Sequence, residues 1–287
     1  MTEPLPLRRI LTKLSRSKLH VREVNQLIEG FLDLQPSPFV SKSTLYAPGD
    51  ALVKSWIRIS DQPPLFELSD ALGDALHNLR ATLDHLIWEM GTRHKPIPVP
   101  LPEDHVFRKL QFPIFLDPDK FAPKKASGAP TKGGGARDML RGLEPGQVTR
   151  IDALQPYGDP DAALWLLADL NNIDKHRHPH FGAGVHRVSV TREPSPSFPG
   201  FRLRREYAHK GGPVKNGTLV ARMRVRFPEG YEPDRIETYV NVNLERTFGV
   251  VLGKGPGEGR EVREVLRTIN RRVHRIVREF TPDVRGW

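Results

Sequence analysis

Two short stretches of the chain concentrate side chains that move protons and hold anions. The first carries His77, Asn78, Arg80, Asp84 and His85; the second carries Asn172, Asp174, Lys175, His176 and Arg177. An imidazole titrates near neutral pH, a carboxylate can orient it, and a guanidinium stabilises negative charge. Brought together, these groups suit proton transfer or anion binding. His77, Arg80, Asp84, His85 and His176 are the candidates for chemistry. Asn78, Asn172, Asp174, Lys175 and Arg177 are the candidates for binding.

Both stretches fall on helices. Residues 64–92 contain no Pro beyond the first residue and only two glycines, Gly73 and Gly91, and KPIPVPLP (95–102) cannot continue them. At about 100° per residue, Leu72, Leu79, Leu83, Leu86, Ile87 and Met90 share one face. His77, Ala81, Asp84 and Trp88 share another, with Asn78 and His85 beside them and Arg80 at the border. In residues 159–177, Ala163, Leu166, Leu167, Leu170 and Ile173 face a core, and Asp169, Asn172, Lys175 and His176 are turned from it. If the two polar strips meet, they make a cleft with several titratable groups. The plainer alternative is two solvated faces, with Arg80 and Asp84 as a helical i,i+4 ion pair worth a few tenths of a kcal/mol.

The segments GDALHNLRATLDHLIWEM (73–90) and LADLNNIDKHR (167–177) resemble the two signatures of an uncharacterised bacterial family, which read hNLRsaLDHL and NIDKHR. The first also resembles the Arg-x4–6-His motif of the HEPN (higher eukaryote and prokaryote nucleotide-binding) superfamily, with Arg80 and His85 at the shortest spacing. That resemblance implies a helical bundle and a metal-independent endoribonuclease. Arg80 would hold the scissile phosphate, and His85 would act on the 2′-hydroxyl or the leaving oxygen. A homodimer could complete such a site. Ala81 stands where these nucleases commonly have a polar residue.

The rest of the chain supplies the frame. Residues 8–33 form a helix with Ile10, Leu11, Leu14, Leu19, Val21, Val24, Leu27, Ile28 and Leu32 at helical spacing. Residues 39–46 and 51–60 read as a hairpin around Ala47-Pro48-Gly49-Asp50. Residues 117–137 read as an exposed, flexible loop, with short helices near 138–155. Alternation over 185–191, 201–207, 218–226 and 236–244 predicts an antiparallel sheet. In 260–280, Val262, Val265, Leu266, Ile269, Val273, Ile276, Val277 and Phe280 form an apolar stripe. The expected fold is a single α+β domain over residues 1–287. Its HEPN-like four-helix core (8–33, 64–92, 138–177, 260–280) carries β parts at 39–60 and 185–244.

The 287 residues carry 44 Lys+Arg against 34 Asp+Glu, a formal charge of +10. The excess is uneven: residues 201–226 hold eight Lys/Arg and one Glu. A basic face favours RNA or another polyanion, and a solvated surface is the alternative. The absence of Cys removes disulfides, thiolate metal sites and a thiol nucleophile. No secretory signal is visible, and no run reaches the roughly 20 apolar residues of a membrane span. A cytoplasmic protein without membrane insertion is expected. Glycine-rich HKGG (209–212), TKGGGAR (131–137) and GKGPGEGR (253–260) lack P-loop or Rossmann spacing. His176, His178, His180 and His186 could face one way as metal ligands, but they lack a supporting Cys. No metal and no cofactor is expected. The function these residues suggest is action on RNA; the alternative is a non-catalytic module for a nucleotide, a nucleic acid or a protein.

Overall fold

A computed structural model describes residues 7–34, 39–47, 50–93, 95, 97, 101–102, 105–122, 134–174, 181–192, 202–210, 212–227 and 242–282. The chain mixes helix and antiparallel sheet. In order it forms α1 (Arg8–Asp33), β1 (Phe39–Ala47), β2 (Asp50–Ile57), α2 (Leu65–Thr92), α3 (Pro118–Phe121), α4 (Ala136–Met139), α5 (Pro145–Ala153), α6 (Ala163–Asp174), β3 (Phe181–Arg192), β4 (Arg202–Ala208), β5 (Gly212–Pro213), β6 (Leu219–Arg226), β7 (Val242–Leu252) and α7 (Val262–Phe280). Among the described residues no helix is long and apolar enough to cross a membrane.

Contacts divide the chain into two compact units. One is Met1–Val24, Ser69–Pro179 and Arg263–Trp287; the other is Asn25–Leu68 and His180–Val262. Each draws on segments far apart in the chain, so no linker marks a boundary in the sequence.

The first unit is helical. α2 is its most enclosed element: Leu72, Leu79, Leu83, Leu86 and Ile87 are buried as their spacing requires, and Leu76, Asn78, Thr82 and Glu89 are buried too. In α1 the buried track of this unit runs Ile10, Leu14, Ser17 and Val24, while Leu19, expected in the core, is 59% exposed. Leu19 lies on the opposite face from Ile10, and the stripe itself includes Ser17, whose hydroxyl donates to the Leu14 carbonyl at 2.8 Å. That local bond satisfies a buried hydroxyl without a distant partner. α7 buries every residue of its stripe. Side chains tie elements together: Arg150 of α5 pairs with Glu279 of α7 at 3.3 Å, and Arg272 of α7 donates to the Leu154 carbonyl at 3.1 Å. α6 starts at Ala163 instead of Asp159, because Asp159 caps a turn by accepting from the Asp161 N–H at 3.0 Å. Both ends of the expected loop 117–137 hold short helices, α3 and α4; residues 123–133 lie outside the described ones. Gly142, at φ +91°, brings its Cα beside Gly91, and a Cβ there would meet the Gly91 carbonyl oxygen at 2.5 Å.

The second unit holds two sheets, ordered β1-β2-β6-β4 and β5-β3-β7, with antiparallel pairing throughout. The expected hairpin forms, but it is not a separate appendage. β2 pairs along its length with β6, so N-terminal and C-terminal strands share one sheet. Alternation in β2 buries Ala51, Val53, Ser55 and Ile57 on one face and turns Asp50, Leu52, Lys54 and Trp56 to the other. β6 buries Ala221, Met223 and Val225 on the same inner face. β7 runs to Leu252, eight positions past the expected end, because it stays paired with β3 as far as Phe181 opposite Leu252, across residues where Gly249 and Glu245-Arg246 break the apolar alternation. The expected start of that strand, Ile236 to Val240, lies outside the described residues.

Candidate functional site

The polar strip of α2 is half-buried, and its groups are occupied by main chain. Arg80 and Asp84 form an ion pair at 3.0 Å. Arg80 Nη2 also donates to the carbonyl of Phe112 at 2.6 Å, and the Phe112 N–H donates to Asp84 Oδ1 at 2.9 Å. The two side chains therefore satisfy both backbone groups of a residue whose exposure is 0%. Gln155 does the same downstream. Its Oε1 accepts from the Phe115 N–H, and its Nε2 donates to the Pro113 carbonyl, both at 3.0 Å. Segment 112–115 has no sheet partner, so side chains supply the bonds that a neighbouring strand would give. Asn78 is buried and donates to the Asp74 carbonyl at 2.8 Å, while His77 is exposed.

His85 has other neighbours. Burial lowers its pKa, as do the charges of Lys13 and Arg9 on α1, against an opposite pull from Asp84. One turn on, Glu89 is 9% exposed, and burial raises its pKa against the charge of Arg9. An imidazole pushed down and a carboxyl pushed up, beside two cations, form a titratable cluster that the sequence reading missed. Its one signal was spacing: 85 and 89, like 9 and 13, are i,i+4 pairs. Arg80 leans on Phe112 and His85 is influenced from α1, so the two members of the Arg-x4-His motif serve different surroundings.

For α6 the placement is partial. Asn172 is exposed and its neighbour Asn171 is buried. Asp174 ends the described helix, with its side chain outside the described residues; Lys175, His176 and Arg177 lie outside them altogether. The meeting of the two polar strips thus falls on residues beyond those described.

A second concentration of charge is on the outer face of sheet β1-β2-β6-β4. Register aligns Lys42, Lys54, Arg222 and Tyr207 in one row across four strands, then Leu52, Arg224 and Arg204 in the next, then Asp50, Arg226 and Arg202. Val40 and Trp56 precede the first row. Seven cations meet two carboxylates: Glu206 pairs with Arg224 at 3.1 Å, and Asp50 lies 3.8 Å from Arg226. Like charges directly opposite one another weaken a sheet. A face that only needed solvation would alternate signs, whereas this one stacks cations in three consecutive rows. The sequence revealed the charge of 201–226 but not that Lys42 and Lys54 join it.

No protein-family model, no curated protein and no solved structure matches the chain.

Among the described residues no group of three His, Asp or Glu side chains could hold a metal ion. The run His176 to His180 lies outside them, as does the side chain of His186. The sheet face offers cations and two aromatic rings, Trp56 and the 41%-exposed Tyr207. Cations of this kind neutralise phosphate, and exposed rings stack bases.

Proposed function

We propose that the protein binds single-stranded nucleic acid, RNA foremost, across the outer face of sheet β1-β2-β6-β4. The observation that carries this reading is the register of seven Lys/Arg in three rows with Trp56 and Tyr207 among them. Four strands at about 4.8 Å, and same-face residues about 7 Å apart along each, give a platform roughly 14 Å on a side. That fits two to four nucleotides of an extended strand. It is too broad for the major groove of a duplex, which admits a helix or a two-stranded ribbon. The like-charge rows are costly in the free protein and are relieved when phosphates lie over them.

A HEPN-like core would add a metal-independent ribonuclease centre on α2. It is the weaker reading, since Arg80 already serves Asp84 and the Phe112 carbonyl.

Anisotropy of a labelled ten-nucleotide oligo-U and of its duplex, from 50 to 200 mM salt, tests the proposal. Single-strand binding is expected to exceed duplex binding. A log–log salt slope of about −3 is expected for four or five phosphate contacts at about −0.7 each. Lys54→Ala/Arg222→Ala/Arg204→Ala should flatten that slope and lower affinity. Equal binding by the triple variant would sink the reading. RNA shortened in EDTA by the wild type, but not by a folded His85→Ala variant, would replace it with cleavage at α2.

A further inference from the structure

The basic face has a recess at one end. A cleft of about 290 Å³ is lined by Val40 and Lys42 of β1, Trp56 at the end of β2, Arg58 just beyond it, and Asn216 and Gly217 of the turn before β6. We infer that this cleft is a nucleotide subsite, in which one base stacks on Trp56, its phosphates lie on Lys42 and Arg58, and the Asn216 amide meets the base edge. The inference rests on the nucleic-acid reading of the sheet and adds to it a specific place for one base.

Four observations support it. The volume lies at the small end of the roughly 300–1,000 Å³ typical of ligand pockets, the scale of a mononucleotide rather than a dinucleotide. The β2–β6 register shifts between Ser55 and Trp56, and such irregularities re-aim a side chain at a strand end. The floor is preformed. Ile57 donates to the Thr218 carbonyl at 3.0 Å, Gly217 donates back to Ile57 at 2.8 Å, and Lys215 N–H donates to the Thr218 hydroxyl at 3.0 Å. Gly217 sits at φ +81°, a backbone conformation that glycine adopts without strain.

Asn216 gives the cleft a chemical preference. The Ile59 N–H donates to its Oδ1 at 3.2 Å. A backbone donor there fixes the amide orientation and commits the oxygen, which leaves the Nδ2 hydrogens as donors. Donors suit a base edge rich in acceptors, such as the carbonyl oxygens of uracil. Lys42 is on the neighbouring strand, one same-face row from Trp56, and Arg58 is two residues beyond Trp56, so both cations line the cleft with the ring.

The test uses the full chain, UMP, uridine and inorganic phosphate as separate probes by calorimetry, and the oligo-U assay above. Trp56→Leu keeps apolar contact but removes the stacking face. UMP should bind the wild type and the Lys54→Ala/Arg222→Ala/Arg204→Ala variant within about twofold. Trp56→Leu should weaken UMP and oligo-U on the order of tenfold, the loss expected for one stacked base, with the salt slope unchanged. Oligo-U bound normally by Trp56→Leu, with no UMP binding in the wild type, overturns the subsite and leaves the sheet reading standing. Inorganic phosphate binding as tightly as UMP also overturns it, since the base would then contribute nothing. If oligo-U fails to bind at all while UMP binding still depends on Trp56, the extended face is wrong and the pocket is right.

Discussion

The polar strip of α2 and the outer face of the four-stranded sheet use overlapping residue types to opposite ends. On α2, Arg80 and Asp84 spend their hydrogen bonds on the two backbone groups of one buried residue, Phe112. On the sheet, Arg202, Arg204 and Arg226 face solvent and stand opposite other cations. An arginine is informative about function only once the destination of its donors is known. Where they end on main chain, the residue is part of the scaffold. Where the side chain is exposed beside like charges, as at Arg202 and Arg204, the molecule gives up stability to keep the charge available.

The sharpest way to break this contrast is to remove the α2 pair. Arg80→Ala or Asp84→Ala strands a buried carbonyl or N–H of Phe112, and each should cost about 1–3 kcal/mol in denaturant unfolding. Nucleic-acid binding by the folded fraction should be unchanged. An intact melting curve with lost RNA binding would move the functional site to α2.

Acidification sharpens the same contrast, because two half-buried histidines are in the helical unit. His85 has a lowered pKa through burial, Lys13 and Arg9; His274 on α7 has a lowered pKa through burial, Lys18 and Arg278. A lowered imidazole pKa means that the folded state binds fewer protons than the unfolded one. The stabilisation is complete above the ordinary value of 6.5 and is lost as pH falls through the folded pKa. Glu89, raised by burial, has the opposite sign: its stabilisation is full below the ordinary value of 4.5 and is lost as pH rises through its folded pKa. The thermal midpoint of the helical unit should therefore drop between pH 7 and pH 5, and His85→Gln/His274→Gln should flatten that drop. Glu89→Gln should raise the midpoint at pH 7. A Glu89→Gln midpoint that stays constant from pH 7 to pH 5 would contradict the histidine predictions, and one no higher than the wild type at pH 7 would contradict the third.

The smallest effect is expected on the sheet, with reversed sign. Lys54 stands between Lys42 and Arg222, so Lys54→Glu replaces two repulsions by two attractions. Equilibrium unfolding should show a gain of about 0.2–1 kcal/mol while oligo-U affinity falls. A loss of stability would mean that the row is not a solvent-facing run of like charge.

Much of the fold was legible in the sequence, and the reasons are local. Helix α7 shows its eight-residue stripe, and all eight are buried. α1 and the first hairpin follow from periodicity and a Pro-Gly turn, and α2 lies within one residue of its expected start. What failed was also specific. Leu19 is one of the apolar residues of α1 yet is exposed, because at about 100° per residue it lies opposite Ile10 and Ile28. The partner of β2 was unreadable, since alternation tells which face a strand buries and not which distant strand it will join.

For the candidate sites, the sequence by itself determined the inventory: a histidine, an aspartate and an arginine within two turns of one helix, and a surplus of cations over 201–226. Tertiary structure alone decided their use. It brought Phe112, 28 residues beyond Asp84, against the ion pair and so turned a catalytic-looking pair into a clamp on main chain. It also set β2 beside β6, which added Lys54 and Trp56 to a basic face that no contiguous segment contains. Hydrogen-bond partners and strand neighbours are relations between distant parts of a chain, and only folding fixes them.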